Sequence, residues 1–128
     1  MFDKQGLIAH IPERVLKHFK SDWVYYEKLL QSVNWEVTQL KIALKKKDLP
    51  LHLMKGTAYV VLKLEASQGR MFSDIDLLLL AQDIDLAEAA LMNAGWMGTH
   101  HDAYDRHYYR QWMHEIPPLR HVQRQSVL

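Results

Sequence analysis

Ser73-Asp74-Ile75-Asp76-Leu77-Leu78-Leu79-Leu80 is the stretch on which the reading of this chain turns. In a β-strand, two carboxylates two residues apart point to one side, while Ile75 and Leu77 point to the other, into a core. Paired negative charge on one face is repulsive. It calls for a cation, a shared proton or full solvation. Oxygen ligands of this kind suit a hard divalent cation such as Mg²⁺ or Mn²⁺. A second Asp-Ile-Asp triplet at 83–85 reads differently. It precedes a helical pattern (Leu86, Ala87, Ala90, Leu91, Ala94), so Asp83 serves as an N-cap, and Asp85 and Glu88 are favoured by the helix dipole. The first triplet opens an apolar strand, where no cap is needed.

Working outward, Leu51 to Met54 reads as a short strand broken by Gly56-Thr57. Ala58 to Ala66 reads as a helix, with Gly69 suited to a left-handed turn at its end. A Gly turn at a helix start presents backbone N–H groups to a phosphate. Beyond the acidic strand, Asp83 to Ala94 is a helix ending at Gly95, and Trp96 to Thr99 a further strand. Residues 102–114 fit either helix or strand. Pro117-Pro118 forces a break, and Arg124 to Leu128 reads as the start of a strand.

On the N-terminal side, Pro12 starts a short helical pattern (Val15, Leu16, Phe19) expected to break near Ser21-Asp22. The next helix carries a seam of Trp23, Tyr26, Leu30, Val33, Val37, Leu40 and Leu44, one stripe at helical spacing. This stripe packs on the rest of the domain, or else serves a helical protein partner or a second copy through residues 23–44. The expected division is an N-terminal helical segment, 1–48, and a core, 49–128. The order of elements gives an α/β (α+β) fold, a small mixed sheet with flanking helices and an N-terminal helical extension.

With 128 residues, 48% apolar and 24% charged, the chain is long enough for one real core. A net charge of +1 gives no global pull toward nucleic acid or a membrane. The absence of cysteine excludes disulfides, thiolate metal sites and a Cys nucleophile. No signal peptide or spanning run is visible, so the expectation is cytoplasmic with no membrane partner. His100, His107, His114 and His121 recur every seventh residue, but Pro117-Pro118 breaks any helix that would align all four, which disfavours a zinc site.

Leu53-Met54-Lys55-Gly56-Thr57, followed by Arg70-Met71-Phe72-Ser73-Asp74-Ile75-Asp76-Leu77-Leu78, resembles the polymerase-β-type nucleotidyltransferase superfamily. The closer resemblance is to its bacterial branch of uncharacterised nucleotidyltransferases. Ala94-Gly95-Trp96 and Pro117 to His121 fit that branch, and the resemblance covers roughly residues 49–128. It implies a nucleotidyltransferase fold in which Gly56 and Thr57 hold the phosphates of a nucleoside triphosphate such as ATP. Asp74 and Asp76 are then the catalytic, metal-binding pair for Mg²⁺ (or Mn²⁺). Arg70, Ser73 and Lys55 stand by the phosphates. The acceptor is an unidentified hydroxyl. Active members use a third carboxylate on a later strand, expected after the apolar end of Arg124–Leu128. With the sequence ending at Leu128, the expectation is weak or absent transfer. The alternative is a degenerate nucleotidyltransferase fold acting as an antitoxin-like or regulatory interaction module.

Overall fold

The computed structural model describes residues 6, 8–71, 73–99, 107–109 and 116–128. Its first long element, α1 (Glu13–Lys45), is a single helix of 33 residues. At 1.5 Å per residue it is about 50 Å long. The expected break at Ser21-Asp22 does not occur. Both residues are exposed, and no Gly or Pro lies between 13 and 45, so neither side chain competes strongly enough with the ladder to end it. The seam is real: Tyr26, Val33, Leu40 and Leu44 are buried, and Trp23, Leu30 and Val37 half-buried. The Tyr26 hydroxyl donates to the Ser67 carbonyl at 2.8 Å, which ties α1 to the loop before the acidic segment. Tyr26→Phe removes this one bond and is expected to cost about 1 kcal/mol, read as a Tm lowered by a few degrees.

The strands are shorter than the sequence pattern implied. β1 (His52–Leu53) pairs antiparallel with β2 (Leu77–Leu78), His52 opposite Leu78 and Leu53 opposite Leu77. β3 (Trp96–Gly98) pairs antiparallel with β4 (Leu119–His121), Trp96 opposite His121. In place of one continuous sheet, two two-stranded sheets meet at Val127, which bridges Asp74 in parallel and Arg120 antiparallel. The expected strand Arg124–Leu128 is thus a turn followed by this short bridging segment. β4, directly after Pro117-Pro118, had no signal of its own.

Between β1 and β2 lies α2 (Lys55–Val61), which begins three residues before the expected helix and ends five residues sooner. Lys63 takes a left-handed turn (φ 54), and the Leu64 and Lys63 N–H groups return to the Tyr59 and Val60 carbonyls. That pattern closes a helix end. Gly69 is left-handed as expected (φ 73), but follows a 3-10 turn at Glu65–Ser67. Helix α3 (Ile84–Asn93) has Asp83 at its N-cap position, although the side chain makes no capping hydrogen bond. Gly95 ends the segment at φ 101.

One core joins these pieces. Leu40, Ala43 and Leu44 of α1 meet Ala87, Ala90 and Leu91 of α3, with Ile75, Trp96 and Leu119 beneath them. The C-terminal part of α1 is therefore inside the same core as the acidic segment. Most of the stretch 102–114 lies outside the described residues. Among the described residues no helix is long and apolar enough to cross a membrane.

Candidate active site

The acidic segment alternates as its sequence demands. Ile75 is buried in the core, Asp74 is exposed and Asp76 half-buried. The Ile75 N–H donates to the Val127 carbonyl at 2.9 Å, which fixes the segment beside the 126–128 stretch. On the other side, the Met54 N–H donates to the Asp76 carbonyl at 2.9 Å. The β1–β2 pairing therefore carries the Lys55-Gly56-Thr57 turn directly to Asp76. Lys55 Nζ reaches Asp76 Oδ1 at 2.7 Å.

The turn itself is under backbone strain. Lys55 sits at φ 49, a conformation costing a non-glycine residue about 1–2 kcal/mol. Gly56 and Thr57 are both buried. The Thr57 hydroxyl has no hydrogen-bond partner among the described residues, an omission worth about 1–3 kcal/mol unless a bound group satisfies it. Gly56 and Thr57 stand in the first turn of α2, where a helix leaves its leading N–H groups without intrahelical partners.

Arg70 stands over the Tyr59 ring of α2, 5.8 Å from its centroid, and makes no ion pair with either acid. Ser73 and Asp74 instead border a cleft of about 800 Å³ whose far wall is α1. There the Arg124 Nε and Nη2 donate to the Glu36 Oε1 and Oε2 at 2.6 and 3.1 Å. The same guanidinium lies between Trp35 and Trp96, 5.0 and 4.9 Å from their ring centroids. The site so divides at the acid pair. Lys55 lies on the α2 side of Asp76, and a cleft with a self-neutralised ion pair lies on the Asp74 side. Among the described residues no group of three or more His, Asp or Glu side chains gathers as a metal cage.

A strand, a Gly-Thr turn into a helix, and an Asp-x-Asp segment held against that turn are the features anticipated from the sequence. A family model described as uncharacterised nucleotidyltransferase matches residues 2–127. The chain belongs to this nucleotidyltransferase family. Neither the curated proteins nor the solved structures give a match. The nucleotidyltransferase match reaches far beyond the 49–128 stretch on which the resemblance rested, and it takes in α1. That helix supplies Leu40 and Leu44 to the core and one wall of the cleft.

Sequence reasoning missed Trp35, Glu36 and Arg124. Glu36 carried a signal: it falls between Val33 and Leu40 on the buried face of α1, where an acid needs a cationic partner. Nothing in the sequence named Arg124, 88 residues away, as that partner.

Proposed function

We propose that the protein transfers a nucleotidyl group from a nucleoside triphosphate such as ATP to a hydroxyl acceptor. Asp74 and Asp76 hold Mg²⁺ (or Mn²⁺), and Lys55, Gly56, Thr57 and Arg70 lie on the phosphate side, while Ser73 borders the cleft on the Asp74 side. The observation that carries this reading is the placement of the Lys55-Gly56-Thr57 turn on Asp76 through the Met54 N–H and Lys55 Nζ. The donor set fits a hard divalent cation. Asp76 already draws a cationic head to one oxygen at 2.7 Å, and Asp74 is an exposed carboxylate two residues away. Two protein carboxylates, completed by phosphate oxygens and water, are a usual complement for Mg²⁺. When bound, the ion supplies charge neutralisation at the phosphates.

The chain's own groups orient the reactants. Lys55 and the turn's N–H groups favour the triphosphate on the α2 side of the acids. In the transfer, the acceptor oxygen bonds to the α-phosphorus. The bond from that phosphorus to the pyrophosphate oxygen breaks, and pyrophosphate leaves with the electron pair. The hydroxyl proton passes to solvent water.

Calorimetric titration of ATP and GTP, with and without Mg²⁺, tests the proposal. Metal-dependent binding is expected, and Asp74→Asn with Asp76→Asn should abolish it up to millimolar nucleotide. Binding that ignores both the metal and the double variant would overturn the assignment. A second reading has its own observation: α1 exposes Val24, Tyr25, Trp35 and Ile42, a surface fit for a helical partner or a second copy of the chain. Under that reading the double variant leaves association through residues 23–44 intact.

A further inference from the structure

The cleft on the Asp74 side has a chemistry of its own. Its α1 wall offers Tyr25 and Trp35, residues that are respectively 60% and 51% exposed. Around them stand uncharged hydrogen-bonding groups: Gln31 and Ser32 on α1, and Ser73, Gln125 and Ser126 opposite. The Ser126 hydroxyl is buried, with no partner among the described residues. Among the described residues the cation on the lining is Arg124, and both its hydrogen bonds to Glu36 and its two indole neighbours hold it in place. With that pair neutral, Asp74 leaves the cleft with a net negative charge. Among the described residues no free cation lines the cleft, so a phosphorylated or carboxylated occupant would enter at the cost of desolvation and repulsion.

A volume of about 800 Å³ is within the range of small-molecule sites. Half-exposed aromatic faces ringed by neutral dipoles match a ligand with an apolar ring face and many hydroxyls. We infer that this cleft is the acceptor subsite and takes an unphosphorylated sugar or cyclic polyol. The inference rests on the nucleotidyl-transfer reading, since Asp74 borders the cleft while Asp76, two residues away, meets Lys55. The triphosphate is excluded from the cleft by charge and falls to the Lys55 side, so the two carboxylates stand between donor and acceptor.

Saturation-transfer NMR at millimolar ligand provides the test, with glucose, galactose, ribose and myo-inositol as neutral probes and glucose 6-phosphate as the anionic one. At least one neutral probe is expected to give a signal that ATP does not displace, and glucose 6-phosphate no signal beyond what ATP displaces from the Lys55 side. Trp35→Ala should weaken the neutral probe roughly tenfold. Because Trp35 also stacks on Arg124, a second variant guards against simple unfolding. Ser32→Lys, on the exposed face of α1, adds a free cation and should let glucose 6-phosphate bind. No signal from any neutral probe, or preference of the unaltered protein for the phosphate, overturns the inference. Metal-dependent ATP binding without sugar binding overturns this inference alone. Sugar binding without nucleotide binding keeps the cleft as a sugar site but overturns the transfer reading and, with it, the acceptor role.

Discussion

Glu36→Ala is expected to destabilise the protein by about 3 kcal/mol, because it strands the Arg124 guanidinium between two indoles with no counter-charge. The pair is bidentate, Glu36 is nearly buried and Arg124 about three-quarters so, with side-chain exposures of 9% and 26%. That sets it apart from Lys17–Glu13, whose side chains are 73% and 83% exposed and whose loss should be close to unmeasurable. Against a total stability of roughly 5–15 kcal/mol, the Glu36→Ala loss is large. For a domain of this size it corresponds to a Tm lower by about 10 °C. Glu36→Gln keeps the geometry but not the charge and should cost about half as much. Glu36→Leu combined with Arg124→Met should recover much of the loss, since a buried pair replaced as a unit leaves no orphan charge. High salt should leave the wild-type Tm nearly unchanged, as partly buried pairs are weakly screened. Denaturant melts of the four proteins check each expectation. Equal losses in the single and double variants would show that the pair acts through side-chain volume alone.

The fold was legible where local chemistry and tertiary packing agree. The α1 seam, the strand before Gly56 and the helix ending at Gly95 follow from apolar period and from glycine conformation, both local properties. Asp74 and Asp76 were legible because Ile75 between them has to be buried. The failures share a cause. Ser21-Asp22 resembled a cap, yet its surroundings hold no helix breaker, and the long helix absorbed it. The Ala58–Ala66 helix was cut short by a left-handed lysine, Lys63, a conformation that sequence assigns to Gly or Asn instead. β4 depends on pairing with β3, and Val127 on pairing with Asp74, both more than 20 residues away, and no local pattern encodes that. The cleft was invisible for the same reason. Its walls come from α1 and from residues 73–75 and 124–127, which the core brings together through Leu40, Ile75 and Trp96.

Gly95→Ala should show how tightly one such long-range contact is set, with an expected loss of about 2–4 kcal/mol. Two effects combine. The backbone there is at φ 101, where an L side chain is strained, and a Cβ would come within 2.7 Å of His121 Nε2. The imidazole has no room to retreat. It is 3% exposed and meets the Trp96 ring edge-on at a centroid distance of 4.9 Å. Its Nδ1 accepts the Gln123 and Arg124 N–H groups, each at 3.2 Å, which leaves Nε2 to donate to the Ala94 carbonyl, also at 3.2 Å. Moving the ring to admit a methyl would break these bonds and shift the turn that presents Arg124 to Glu36. In a His121→Ala background the same Gly95→Ala change meets no imidazole, and only the backbone strain of about 1 kcal/mol remains. The difference between the two backgrounds is a coupling energy, read from denaturant melts of the four proteins. A Gly95→Ala loss as large without His121 as with it would place the whole cost in the backbone and none in the histidine contact.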